Sequence, residues 1–184
     1  MQTVSFTAMA DGTKEEYEFL ARKEAEEFTR FPARILAMLR DMDDDTGYRV
    51  TRLEHSLQSA TRALRDGREE DYVVCCLVHD IGDMISPANH SQAAASVVRP
   101  YVSEELHWII LHHGVFQEYY YAHHYGKDRN GRDRFKDHSF YEATVEFCEK
   151  YDQNCFDPDY DWEPLDFFAP MVERVFGRDP KGFV

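Results

Sequence analysis

The sequence has no apolar run long enough to cross a bilayer, and no leader-like stretch opens it. Residues 1–13 are polar and contain glycine, so they are expected to be loose. No CxxC pair occurs; the four cysteines fall as an adjacent pair, Cys75 and Cys76, and a spaced pair, Cys148 and Cys155. Reduced thiols in a cytoplasmic protein follow from that usage. Positive charge is scarce: 21 Lys and Arg stand against 35 Asp and Glu, a formal charge of −14. Such a balance argues against a nucleic-acid partner and leaves a small molecule as the expected one. Alternating strand patterns of useful length and internal repeats are also absent. What remains is one domain of 184 residues with ample apolar and aromatic material for a core.

The material that is there repeats at helical spacing. Over residues 14–28, Tyr17, Phe19, Leu20, Ala25 and Phe28 recur among Glu and Lys. Pro32 is expected to break that helix or to open a second one with Ile35, Leu36 and Leu39 on its apolar face. An acidic loop, DMDDDTG at 41–47, precedes a helix over 51–64 whose inward positions are Leu53, Leu57, Ala60 and Leu64. A buried helix follows over 69–78. Asn89 is placed to cap a helix over 91–98, and Ser103 one that ends at His112 and His113. The aromatic run FQEYYYAHH (116–124) leads into GKDRNGRDRFKD (126–137), a charged loop and the chain's basic cluster. Helices over 139–151 and after Pro164 complete an all-α bundle of about seven to eight helices.

The centre of the chain is YVVCCLVHDIGD at 72–83. An apolar run ends abruptly in His79 and Asp80, and Gly82 lets the chain turn away. Imidazole and carboxylate are both ligands for divalent metals, and a buried Asp is costly unless it meets a cation. Partners lie at workable places. His55 is in the preceding helix, His90 at the mouth of the next, His113 at the end of the one after, and Asp152 at the end of a later one. Ligands on successive helices converge when each sits at similar depth. Four His and two carboxylates suffice for two octahedral-type metals bridged by a carboxylate, a set that suits iron or manganese better than structural zinc. His107, His112, His123, His124 and His138 read as ordinary core or surface histidines.

Several segments together carry a resemblance: LEHSLQSA at 53–60, VHDIGD at 78–83, NHSQAAA at 89–95, LHHG at 111–114 and KYDQ at 150–153. The chain resembles the HD-domain superfamily, and its first segment is most similar to the mixed-valent di-iron oxygenases. That branch includes myo-inositol oxygenase and enzymes that cleave the carbon–phosphorus bond of 1-hydroxyalkylphosphonates. The resemblance spans residues 47–157. It implies His55, His79, Asp80 and Asp152 as shared ligands, with Asp80 as the bridge, and His90 and His113 as the two that complete the second iron. His113 is preferred to His112 because Gly114-Val115-Phe116 matches the family segment.

The resemblance further implies two iron ions, Fe(II)/Fe(III), with dioxygen as co-substrate, in a monomer or weak dimer. Asp45 or Tyr48 is expected to cap the substrate-free iron. Gln117 stands where the phosphonate enzymes carry a basic residue, so a phosphonate would draw on His124, Lys127, Arg129, Arg132 or Arg134 of the basic loop. Asp83, Glu118 and the aromatics Phe116, Tyr119, Tyr120 and Tyr121 would suit a quaternary ammonium. A substrate such as 1-hydroxy-2-(trimethylammonio)ethylphosphonate, giving glycine betaine and phosphate, would use both halves. The alternatives are a phosphohydrolase acting on a nucleotide or phosphate monoester, and a metal-stabilised binding module.

Overall fold

The computed structural model describes residues 2–181. Among them are seven α-helices and no strand. They run α1 (Lys14–Asp41), α2 (Arg52–Arg65), α3 (Glu70–Val78), α4 (His90–Val98), α5 (Glu104–Tyr121), α6 (Tyr141–Tyr151) and α7 (Leu165–Phe176). Short 3₁₀ turns join several of them.

Helix α3 is the axis of the bundle. Every residue from Val73 to Val78 is buried, and each Val or Leu withdrawn from water there contributes roughly 1.5–3 kcal/mol. Helices α2, α5 and α7 pack around it. A satellite of Phe31, Tyr101 and Phe176, with ring centroids 5.2–5.8 Å apart, ties α1 and α7 to the chain after α4. All four cysteines are free thiols inside this core.

Pro32 neither breaks α1 nor opens a new helix; α1 continues through it to Asp41. Proline forfeits one backbone donor and crowds the carbonyl four residues earlier. The next turns nevertheless stay helical because Ile35, Leu36 and Leu39 are buried on one face against the core. The same compensation holds Pro170 inside α7, where Phe168, Val172 and Val175 are buried. Helix α5 also runs further than expected, past His113 to Tyr121. The aromatic run continues the helix because Phe116 fills the core. Ahead of α1, the Ser5 amide and hydroxyl both donate to Glu16 Oε1, at 2.7 and 2.8 Å.

Candidate metal centre

Five segments deliver the six side chains. Helix α2 opens with a capping box: the Glu54 amide donates to Thr51 Oγ1 and the Thr51 amide to Glu54 Oε2. Such a cap contributes about 1 kcal/mol and fixes the first turn, which holds His55. His79 and Asp80 follow the last residue of α3. His90 opens α4, His113 sits inside α5, and Asp152 follows the last residue of α6.

Two close approaches bring His90 in. A Cβ on Gly82 would lie 1.9 Å from the His90 carbonyl oxygen, and one on Gly114 would lie 2.6 Å from Ser91 Oγ. Only hydrogen at Gly82 lets the turn after α3 close on the backbone of α4, and Gly114 brings the middle of α5 against the Ser91 hydroxyl.

The six side chains meet. His55 Nε2 is 3.0 Å from His79 Nε2, 3.6 Å from Asp80 Oδ2 and 3.5 Å from Asp152 Oδ1. His79 Nε2 is 3.4 Å from Asp80 Oδ2. On the other side, His113 Nε2 is 3.2 Å and His90 Nε2 3.5 Å from Asp80 Oδ1, and the two imidazoles approach to 3.2 Å. Asp80 therefore divides the cluster: one oxygen faces His55 and His79, the other His90 and His113. His55, His79, His113 and Asp152 are buried, while His90 and Asp80 are partly open to the pocket.

Backbone carbonyls orient three of the rings. His55 Nδ1 donates to Cys155 O (3.1 Å), His79 Nδ1 to Cys76 O (2.8 Å) and His113 Nδ1 to Ile110 O (2.7 Å). Each bond places a hydrogen on Nδ1 and turns Nε2 inward, the arrangement that metal-binding histidines use. Buried Asp152 Oδ2 has no hydrogen-bond partner among the described residues, and Oδ1 accepts from Gln117 Nε2 at 2.8 Å. Converging Nε2 atoms beside an orphaned carboxylate oxygen are stable only around positive charge, and a divalent metal fits this donor set. Two groups, His55–His79–Asp152 and His79–Asp80–His113, each bring their ligand atoms within 4.8 Å of one another.

Without a metal, protons supply that charge. Burial alone would depress the His79 imidazole, but Asp80, with Asp152 and the Cys76 carbonyl, outweighs it and raises the group to about 9. Burial would raise the Asp80 carboxyl, and the His79 and His113 imidazoles overcome this and hold it well below the usual carboxylate range.

The cluster forms the floor of a pocket of about 620 Å³. Tyr48, Tyr120, Tyr121, Tyr125 and Phe156 supply aromatic walls; Arg52, Asp83 and Gln117 supply polar ones. Tyr48 is exposed at the mouth with its ring 4.9 Å from Phe156, which stacks at 4.4 Å on His55. Asp45 is exposed, accepts from the Gly47 amide and is not on the wall. His112 turns away to Trp108, donating to its carbonyl and stacking at 3.7 Å. His124, Lys127 and Arg129 are not brought to the pocket wall either. His124 packs on His123, and Arg129 lies over Tyr119.

Arg52, Tyr125 and Phe156 of the wall escape the sequence reading. Arg52 links the acidic loop to the site, with Nη1 2.6 Å from Asp44 Oδ2 and Nε 2.9 Å from Asp83 Oδ2. Its position one helical turn before His55 was a usable signal. Phe156 lies beyond the end of α6, where no periodicity points to it.

No curated protein matches the chain. Residues 52–135 match the family model of the HD domain, a stretch that includes His55, His79, Asp80, His90 and His113. The match covers just under half of the chain, and Asp152 reaches the same cluster from beyond the matched stretch.

Proposed function

We propose that this HD-domain, metal-dependent enzyme holds two iron ions and uses dioxygen to cleave the carbon–phosphorus bond of a small 1-hydroxyalkylphosphonate. One observation carries the two-metal part: the two oxygens of Asp80 face two different histidine pairs. His55, His79, Asp152 and Asp80 Oδ2 would hold one ion. His90, His113 and Asp80 Oδ1 would hold the other, whose three protein donors leave positions for substrate. Bound there, an Fe(II)/Fe(III) pair supplies dioxygen activation and oxidation at the hydroxyl-bearing carbon.

The chain's own residues do the rest. The backbone carbonyls of Cys155, Cys76 and Ile110 hold three imidazoles in one tautomer, so the donor set is formed before substrate arrives. Gln117 fixes Asp152 through its amide, and its own Oε1, buried and unpartnered, is left to accept a hydrogen bond in the pocket. The tyrosine walls favour a cationic substituent at the far end of the substrate. Tyr48 and Phe156 screen the His55 side of the floor from water. With 1-hydroxy-2-(trimethylammonio)ethylphosphonate the atoms balance for one dioxygen per substrate. The carbon–phosphorus bond breaks, carbon gains an oxygen to become the carboxylate of glycine betaine, and phosphorus gains one to leave as phosphate.

Metal analysis, oxygen uptake and phosphate release, measured on one preparation, test this reading. Two irons per chain, a mixed-valent electron paramagnetic resonance signal that changes with substrate, and equal consumption of oxygen and substrate are expected. Full-rate hydrolysis of a phosphate ester with magnesium and no oxygen would overturn it. That second reading, a phosphohydrolase acting on a nucleotide or phosphate monoester, is supported by the HD match, since the same metal platform can activate a water.

A further inference from the structure

Outside the metal pocket, the basic loop contains guanidinium groups without carboxylate partners among the described residues. The centres of Arg129 and Arg132 lie 4.1 and 3.6 Å from the ring centroid of Tyr119. Arg129 Nε, Arg132 Nε and Arg132 Nη1 are buried and have no hydrogen-bond partner among the described residues. An aromatic face offsets charge, but it accepts no in-plane N–H bond, so these donors remain unmet. Two acids of the loop are engaged elsewhere: Asp128 Oδ1 accepts the Asn130 amide, and Asp133 Oδ2 pairs with Lys136. In a chain with 35 acidic residues, leaving two neighbouring guanidinium groups unpaired is informative.

The scaffold beneath them is firm. The turn Gly131–Phe135 packs on α5, with Phe135 stacked 6.1 Å from buried Phe116. Tyr119 is fixed on that same helix, one residue before Tyr120 of the pocket wall. Planar guanidinium forks held on a rigid ring match the oxygens of a tetrahedral oxyanion.

We infer that Arg129 and Arg132, seated on Tyr119, form an oxyanion-binding site for a phosphate or phosphonate group, separate from the metal centre. The inference does not depend on which reaction the metals perform. The oxyanion comes either as free phosphate or as the phosphonate of a substrate that docks here before it enters the pocket.

Isothermal titration of inorganic phosphate into the metal-loaded protein tests it. Wild type is expected to show a binding event that persists after the metals are stripped with a chelator. R129Q/R132Q should weaken it at least tenfold with metal content and melting temperature unchanged. Y119L, which removes the platform and leaves both cations, should weaken it several-fold. Equal phosphate affinity in wild type and R129Q/R132Q would overturn the site, as would phosphate binding that vanishes with the metals. A 1-hydroxyalkylphosphonate then separates the sources. If it displaces phosphate and needs both arginines, the site takes a substrate's phosphonate; if it binds at the metals alongside phosphate, the site takes the free ion.

Discussion

The Nε2 atoms of His55 and His79 face each other at 3.0 Å, while both Nδ1 atoms donate to main-chain carbonyls. Two lone pairs cannot share that space, so a proton or a metal ion has to lie between them. The Asp80 carboxylate, 3.6 and 3.4 Å from the two nitrogens, favours either cation.

Metal uptake therefore displaces a proton. His79, raised to about 9 in the metal-free protein, must lose its Nε2 hydrogen before it can act as a ligand. Metal affinity is expected to rise with pH from 6.5 towards about 9 and then to level off. Calorimetric titrations in two buffers of different ionisation enthalpy should report about one proton released at pH 7.5. Stability of the metal-free form should move the other way. His79 has a folded value above its unfolded one, so its contribution is complete below about 6.5 and is lost as pH rises through about 9. Urea unfolding of chelated protein at pH 6.5 and 9 checks that sign.

The division of the cluster by Asp80 predicts unequal consequences of removing ligands. His90→Ala takes one donor from the three-donor half and leaves the other half intact. It is expected to retain about one metal per chain and to abolish turnover. Asp80→Ala removes a donor from both halves and should lose both ions. Metal analysis after dialysis separates the two variants. Equal loss in both would contradict the two-site reading.

How much of this was legible in the sequence depends on what each element rests on. The buried helix ending in His79 and Asp80 was legible because its apolar run has no other use than a core. The convergence of His55, His90, His113 and Asp152 follows from ligands on successive helices, although His113 stands inside α5 and not at its end. Pro32 misled, because local backbone chemistry was outweighed by the tertiary burial of Ile35, Leu36 and Leu39. The extent of α5 misled for the same reason at Phe116. Charge and the resemblance would put the basic residues of the loop at the pocket, whereas the stacking of Arg129 and Arg132 on Tyr119 is a contact that spacing does not encode. Phe156, against His55, lies in irregular chain and left no pattern to read.

The residue before Asp152 is a positioning point. The buried ring of Tyr151 sends its hydroxyl to Asp66 Oδ2 at 3.0 Å and accepts from Arg68 Nε at 2.9 Å. Tyr151→Phe keeps the ring and deletes both bonds, each to a charged partner. A loss of about 1–2 kcal/mol is expected, or a fall of roughly 2–8 °C in Tm for a domain of this size. Because the hydroxyl points away from the cluster, metal stoichiometry should be unchanged. Loss of metal in this variant would show that the end of α6 depends on that hydroxyl.

The tightest constraint on the centre is a missing methyl group. A Cβ at Gly82 would stand 1.9 Å from the His90 carbonyl oxygen and 2.9 Å from the Ala94 nitrogen, both backbone atoms that no rotamer change can move. Gly82→Ala must therefore push the start of α4 away from the turn after α3, and His90 moves with it. Overpacking of this kind typically costs about 1–3 kcal/mol. The expected outcome is a lower Tm together with weakened binding of the ion held by His90 and His113, with the ion at His55 and His79 retained. Gly131→Ala is the matched control, because its Cβ would meet only Val115 Cγ2, at an ordinary 3.6 Å. If Gly82→Ala binds two metals as tightly as wild type, the approach of α4 to that turn does not set the position of His90.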